Sequence, residues 1–119
     1  MFEKLGPDTG YDTINNYTPV DQMAAFLGAV ESASGLPRTI LYSLNPADDQ
    51  AIDTLCGCFQ SSEAVSKMQH GSAWWFNDHF TGMTNQLTSL ANLGYLAGFV
   101  GMLTDSRSFP SYPRPEHFR

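Results

Sequence analysis

The sequence predicts an α/β fold in which parallel strands alternate with covering helices. Three observations indicate it: predicted strands begin near residues 38, 67 and 98, the first and third of them as near-continuous apolar runs; segments of helical period lie between them; and about thirty residues separate successive strand starts. This alternation is typical of a parallel sheet with helices packed on it. A doubly wound sheet and a (β/α)₈ barrel both fit, although a Gly-rich dinucleotide fingerprint and a P-loop are absent from the sequence.

The composition is that of one globular domain or a piece of one. The chain has 119 residues, 42% of them hydrophobic, and a formal net charge of −6. Basic side chains form no stripe, so we expect no nucleic-acid partner. The stretch LGYLAGFVGML is shorter than the roughly 20 residues that span a membrane, and the charged N-terminus lacks the apolar core of a signal peptide. We therefore expect no membrane partner and a cytoplasmic location.

The first helix is predicted to follow a long loop. Residues 1–17 contain Gly-Pro, Thr-Gly and Asn-Asn pairs, which are typical of a loop. Thr18 is suited to the N-cap of a helix and Pro19 to its first position, while Gly35 and Pro37 are suited to end it. The apolar stripe of this helix consists of Val20, Met23, Ala24, Leu27 and Val30.

The first strand and second helix follow. The β-rich run 38–44 predicts a buried parallel strand. Asn45 and Pro46 then supply a cap and a first helical position, and residues 60–66 predict a loop. The apolar stripe of this second helix consists of Ala51, Ile52, Leu55 and Phe59.

The remaining chain predicts a strand over 67–76, a third helix and a strand over 98–105. The strand over 67–76 is interrupted by Gly71 and Ser72. The third helix is predicted to begin at residues 77–78 and to end at Gly94. Its stripe consists of Phe80, Met83, Leu87, Leu90 and Ala91. Residues 111–119 resemble the beginning of a further helix.

The two cysteines predict packing and surface roles. Cys56 and Cys58 lie two positions apart on the predicted second helix, so their side chains point in different directions and make a poor disulfide. No second Cys/His pair at a suitable spacing accompanies them, which argues against a metal site. The simplest setting for such thiols is a reducing compartment.

Each predicted strand ends in groups that a packed interior would avoid. These groups are Asn45 after the first strand, residues 74–78 at the second and residues 105–107 at the third. In parallel α/β folds, ligands bind at the carboxyl ends of the strands. The sequence therefore predicts a ligand site at this edge of the sheet.

The polar residues at this edge have structural as well as functional interpretations. Asp105 is suited to a helix N-cap, which local sequence favours, but also to a metal ligand or proton carrier. Arg107 is suited to a surface ion pair or to two-pronged binding of a carboxylate. Trp74 and Trp75 more often pack in a core than line a ligand.

The histidines complete no catalytic set. We expect His70, in the middle of the second strand, to be a hydrogen-bonded interior residue, while His79 and His117 have no evident partner. No Ser-His-Asp or Cys-His arrangement is supported by spacing.

Five segments resemble consecutive segments of the uronate isomerase family, also called glucuronate isomerase. They are LGPDTGYDTIN, LPRTILYSLNP, GSAWWFND, ANLGYL and FVGMLTDSRSFPSYPR, and together they cover essentially the whole chain in order. The resemblance implies a member of the amidohydrolase superfamily with a (β/α)₈ (TIM) barrel. The three strands would be the sixth to eighth, and residues 1–119 would run from the loop after strand five to the start of helix eight, without a second domain.

The resemblance also implies an activity and its residues. Uronate isomerases interconvert D-glucuronate with D-fructuronate and D-galacturonate with D-tagaturonate, and they use zinc. Asp105 matches the aspartate that contacts the metal and assists proton movement. Arg107 matches the arginine that holds the substrate carboxylate, and Trp74 matches the tryptophan that lines the pocket.

This chain lacks parts that the family needs. The zinc-binding His-x-His pair of the family has no counterpart here, and a (β/α)₈ barrel needs about 250 residues. We therefore expect the isolated chain to be inactive, to bind no zinc alone, and to form homo-oligomers or associate through exposed strand faces. The alternative is a non-catalytic α/β fragment that self-associates or assembles with a partner chain.

Overall fold

The computed structural model describes residues 2–6, 14, 20–73, 75–101 and 113. Their elements are, in chain order, α1 (Phe2–Leu5), α2 (Val20–Ser34), β1 (Thr39–Leu41), α3 (Asp49–Cys58), β2 (Met68–His70) and α4 (Phe80–Leu93). Short 3₁₀ turns cover Pro46–Asp48, Trp75–Asn77 and Leu96–Gly98.

The two strands form a parallel pair. Thr39 lies opposite Met68 and Leu41 opposite His70. The ladder extends by one bond beyond β2, where the Gly71 amide donates to the Leu41 carbonyl at an N–O distance of 2.7 Å. Because α3 connects the strands, the unit is strand, helix, parallel strand, and the predicted α/β class with parallel pairing is confirmed for this part of the chain.

The hydrophobic core lies between this sheet and the helices. Its buried members are Leu27, Leu36, Ile52, Leu55, Cys56 and Met68. Side chains alternate across a strand, so Leu41 packs against this core while Ile40 remains 42% exposed on the opposite face. Tyr42 is likewise exposed. The helices α2 and α3 therefore pack against one face of the sheet, and the other face presents apolar side chains to solvent.

The strands are shorter than the apolar runs predict. The runs 38–44 and 67–76 contain only three paired residues each, Thr39–Leu41 and Met68–His70. The second run ends early because Trp75 has a positive φ of 53° and begins a 3₁₀ turn, which no strand can include. Extending this strand through residue 76 was therefore wrong.

The predicted third strand is wrong at its start. Gly98 belongs to the 3₁₀ turn Leu96–Gly98, and residues 99–101 pair with no described strand. The turn brings Gly98 against Ser66, where a Cβ would overlap the serine side chain. Residues 102–105 lie outside the described part of the chain.

The N-terminal loop prediction also needs correction. Phe2–Leu5 form one helical turn, with Glu3 near its positive end and Lys4 near its negative end. This short segment contains no glycine or proline to interrupt a turn. Of the following residues to 19, only Gly6 and Ile14 are described, so the caps predicted at Thr18 and Pro19 remain untested.

The helix ends agree with the sequence more closely than the strand ends. Gly35 ends α2 in the left-handed region with φ +75°, as predicted, and Gly94 caps α4. Asn45 caps the turn that leads into α3, because its Oδ1 accepts from the Ala47 amide at 3.0 Å. The predicted start of α4 at 77–78 is two residues early, since the helix begins at Phe80.

His79 is the N-cap of α4. Its Nδ1 accepts from the Gly82 amide at 3.1 Å, so the expectation that His79 has no partner was wrong. His117 and most of the predicted C-terminal helix lie outside the described residues. None of the described helices combines the length and the apolar character needed to cross a membrane.

Candidate functional site

The loops that follow β1 and β2 meet at the carboxyl edge of the sheet. The Asn77 side-chain amide donates from Nδ2 to the Ser43 carbonyl at 3.5 Å. The Ser43 hydroxyl donates to the Asn45 carbonyl at 2.9 Å and accepts from the Asn45 amide at 3.0 Å. Two of the residues predicted at this edge, Asn45 and Asn77, are therefore brought together through Ser43.

Both asparagines are buried and serve the loop structure. Asn45 caps the turn before α3, and Asn77 links the second loop to the first. The Asn77 Oδ1 is buried without a hydrogen-bond partner. The hydrogen bonds of the two asparagines give the edge a defined backbone, and Asn77 Oδ1 is the atom of the two side chains that is left unpaired.

Aromatic rings flank this edge. Trp75 and Phe76 are stacked, with ring centroids 5.9 Å apart, and both are partly exposed. Trp74, Asp105 and Arg107 lie outside the described residues. The described part of the site is thus its supporting loops, and the roles assigned to those three residues stay predictions.

His70 and three polar side chains that the sequence did not single out form a buried network between α3, β2 and α4. His70 Nδ1 lies 2.8 Å from Asp53 Oδ1, and the Ser89 hydroxyl donates to Asp53 Oδ2 at 2.5 Å. On the other side of the ring, His70 Nε2 lies 4.0 Å from Asp49 Oδ1. The expectation of a hydrogen-bonded interior His70 is confirmed, since its side chain is 1% exposed.

The network follows from local geometry. Asp49 and Asp53 are four residues apart, which places them on one face of α3. His70 shares the buried side of β2 with Met68, because the two residues are two positions apart in the strand. The available signal in the sequence was the pair of acids at helical spacing among the apolar positions Ile52 and Leu55.

Burial changes the acidity of two groups in this region. It raises the pKa of Asp49 to about 6, an effect that the charge of His70 opposes and that Asp53 and Asp48 increase. Burial, together with the nearby charge of Asp53, raises the pKa of the Cys56 thiol to about 12. Cys56 is therefore an inert core thiol, while Cys58 is exposed, and both are free. The packing and surface roles predicted for them are confirmed.

The network does not form a nucleophilic triad. Asp53 accepts from both Ser89 and His70, so the serine hydroxyl hydrogen-bonds to the carboxylate and not to the imidazole. A triad needs the histidine between the hydroxyl and the acid. The arrangement joins one strand to two helices and activates no serine.

The described residues do not fit a zinc site. No three His, Cys, Asp or Glu side chains within that part of the chain are placed to hold a metal ion. The carboxyl edge instead offers the hydroxyl and amides of Ser43, Asn45 and Asn77, whereas zinc prefers thiolate, imidazole and carboxylate ligands.

Two cavities lie near the described helices, and the second of them borders the loop after β1 at Pro46 and Ala47. One, of about 260 Å³, is bounded by α3, β2 and the end of α4, with Cys56, Leu90 and Tyr95 among its walls. The other is a polar groove of about 470 Å³ between α3 and α4, which includes Asp49 and Thr88. Neither Asn45 nor Asn77 lines them, so the candidate site is not one of these cavities.

Comparisons with known proteins give a single family. A family model described as glucuronate isomerase matches residues 1–119. Uronate isomerases of Endomicrobium trichonymphae and Lachnospira eligens are 65% identical over 119 residues and 62% over 118 residues, and that of Bacillus licheniformis is 56% identical over 119. These matches cover 99–100% of this chain and 25% of each relative. The chain spans about a quarter of the length of these relatives.

Proposed function

Because the chain belongs to the glucuronate isomerase family, we propose that it is part of an enzyme that interconverts D-glucuronate with D-fructuronate and D-galacturonate with D-tagaturonate. The observation that carries this proposal is the match over all 119 residues, with 65% identity to the Endomicrobium trichonymphae relative. The reaction moves a proton between adjacent carbons of an open-chain sugar acid while an aldehyde becomes a ketone. The proposed location is cytoplasmic, without a nucleic-acid or membrane partner.

We further propose that the described unit is part of a (β/α)₈ barrel. The parallel pairing of β1 and β2, with α3 between them, supports this placement. So does the exposed face that carries Ile40 and Tyr42, because the interior of such a barrel is filled by side chains from its strands. In that arrangement β1 and β2 are the sixth and seventh strands, and the eighth begins after Gly98.

Three residues carry the proposed chemistry. Asp105 assists the movement of the proton between the two carbons. Arg107 holds the uronate carboxylate through two parallel N–H···O bonds and so orients the reacting carbons. Trp74 shapes the pocket and excludes water. Zinc is the proposed cofactor of the complete enzyme, with Asp105 as the contact from this chain and the remaining ligands from segments that this chain does not contain.

Substitution in a full-length relative tests these roles. We expect the Asn variant of the aspartate matching Asp105 to lose at least ~100-fold in kcat, because the amide cannot act as a base. We expect the Lys variant of the arginine matching Arg107 to raise KM about 10-fold or more, because the two-pronged contact is lost.

Matched controls make the same chemical changes at exposed positions. Asp21 and Arg38 are exposed in this chain. The substitutions that correspond to Asp21→Asn and Arg38→Lys should leave turnover of D-glucuronate unchanged. Near-normal kinetics in both site variants would refute the assigned roles.

The alternative is a non-catalytic fragment that self-associates. The exposed Ile40 and Tyr42 favour it, since an apolar sheet face invites association. A coupled isomerase assay and metal analysis of the purified chain, run with and without the remaining barrel, separate the two proposals. Neither proposal expects turnover or stoichiometric zinc from the chain alone. The first expects both when the remaining barrel is supplied, and the alternative expects neither.

A further inference from the structure

We propose that Gln86 is a positioning residue, which fixes the backbone where β2 ends and thereby places the loop that carries Trp74. Gln86 lies on α4 and is 4% exposed. Its Nε2 donates to the Gly71 carbonyl at 2.6 Å, across a separation of fifteen residues. The part of this inference that concerns substrate binding rests on the proposed function.

Gly71 is held from two sides by groups outside its own segment. Its amide donates to the Leu41 carbonyl of β1 at 2.7 Å, and its carbonyl accepts from Gln86 of α4. Gly71 has no side chain with which to anchor itself, and a Cβ there would overlap the Tyr42 ring. The neighbouring strand and α4 therefore determine where the chain leaves the sheet.

The far end of the loop is fixed independently. Asn77 bonds to the Ser43 carbonyl, and its own carbonyl accepts from the His79 amide at 2.8 Å. His79 in turn caps α4. In the sequence, Trp74 lies between the two anchored residues, Gly71 and Asn77.

The side-chain amide of Gln86 includes an energetically unfavourable buried atom, which a role in packing alone does not explain. Its Oε1 is buried without a hydrogen-bond partner, which is unfavourable. An apolar side chain of similar size would fill the same volume without leaving that oxygen unpaired. Such a side chain would lose the hydrogen bond that Gln86 Nε2 donates to the Gly71 carbonyl.

A second contact from α4 reaches the adjacent residue of the strand. Ser89, three residues after Gln86 and on the same side of the helix, bonds to Asp53, which pairs with His70. Two consecutive residues of the chain, His70 and Gly71, are thus tied to α4, the first through Asp53 and the second directly. Removing the hydrogen bond from Gln86 to Gly71 should therefore make the loop more mobile while the hydrophobic core stays folded.

The first experiment measures amide hydrogen exchange on this 119-residue chain. Gln86→Met keeps an unbranched side chain and removes the donor. Asn85→Met removes an amide from an exposed neighbouring position and serves as the control. We expect peptides covering residues 71–79 to exchange about 10-fold faster in Gln86→Met only, with α2 unchanged. Unchanged exchange over 71–79, or an equal rise in α2, would overturn the inference.

The second experiment measures kinetics in a complete barrel, made by replacing the matching quarter of the Endomicrobium trichonymphae relative with this chain. For Gln86→Met we expect KM for D-glucuronate to rise about 10-fold with kcat changed by less than about 3-fold. A loss of active enzyme alone would lower kcat and leave KM unchanged, and that result would count against positioning.

Gln86→Glu adds a pH readout. A neutral carboxylic acid can donate to the Gly71 carbonyl, whereas a carboxylate cannot. The titratable groups buried between these elements are His70 of β2 and Asp49, Asp53 and Cys56 of α3, and α4 has no charged residue. KM of Gln86→Glu relative to the parent should therefore fall as pH falls, while that of Gln86→Met should not, and parallel profiles would contradict the proposed bond.

The two proposals fail separately. An unsubstituted chimera without turnover of D-glucuronate would count against the proposed function, and the exchange measurement would still decide whether Gln86 fixes the loop. A working chimera whose Gln86 variants have unchanged KM would leave the function in place and overturn the role of Gln86 in substrate binding.

Discussion

Asp49 and His70 face each other across 4.0 Å in the interior, and neither facing atom has a hydrogen-bond partner. His70 Nδ1 lies 2.8 Å from Asp53 Oδ1, so the second ring nitrogen, Nε2, is the one that faces Asp49. A hydrogen bond between the two facing atoms needs a proton on one of them. Burial of Asp49 raises its pKa to about 6, which is the direction that favours such a proton.

The pH dependence of stability should report this proton. Because the pKa of Asp49 is raised from 3.8 in the unfolded chain to about 6, its stabilising contribution is present at low pH and is lost as pH rises through 6. Relative to Asp49→Asn, the unfolding free energy of the parent should fall by up to about 3 kcal/mol between pH 3.5 and 7.

Urea unfolding at a series of pH values measures this difference. The exposed Asp21→Asn variant is the control and should follow the parent, because a surface carboxylate changes its environment little on folding. Parallel profiles for Asp49→Asn and the parent would show that Asp49 does not hold the proton.

At the scale of the element, the position of α4 is set by the segments on which it packs. Its first turn lies on the loop that precedes it, so closely that a Cβ at Gly82 would overlap the Asn77 carbonyl. Gly28 of α2 is also inside a helix, but a Cβ there would meet nothing within 4 Å. The same residue type therefore has a packing role in one helix and none in the other.

This contrast predicts opposite effects of one substitution. Gly28→Ala should stabilise the chain by about 0.5–1 kcal/mol, because alanine is the better helix former. Gly82→Ala should destabilise it by about 1–3 kcal/mol, because α4 must shift away from Asn77. Thermal unfolding of both variants beside the parent measures the two changes, and stabilisation by Gly82→Ala would show that the contact with Asn77 is not close.

At the scale of the whole molecule, the described sheet has two strands and an apolar exposed face. β1 and β2 pair with each other and with no other described strand, and Ile40 and Tyr42 are exposed. Unpaired edges and apolar faces are sites of association. The chain spans about a quarter of the length of its relatives.

We expect the isolated chain to form dimers or larger species and Ile40→Lys to shift it towards monomer. A lysine on the sheet face should disfavour burial of that face against a second copy. Val65→Lys makes the same change on an exposed loop residue and should leave association unchanged. Light scattering on the three proteins measures this, and a clean monomer that isomerises D-glucuronate would contradict the partial barrel.

The sequence by itself determined the family, the α/β class and the carboxyl ends of α2 and α4. The identifying segments are local and contiguous, and Gly35 ends α2 through its own backbone freedom, with a φ of +75°. Helical periodicity likewise depends on neighbours three and four residues away. Such features need no knowledge of distant parts of the chain.

Only the tertiary structure decided where the strands end and which polar side chains meet. Part of the run 67–76 turns away from the sheet. Where the strand ends depends on its partner strand and on the positive φ that Trp75 adopts. Ser89 reaches Asp53 across 36 residues, and Gln86 reaches Gly71 across fifteen. These contacts arise from the packing of α3 and α4 beside β2, and no spacing in the sequence encodes a distance between side chains on separate elements.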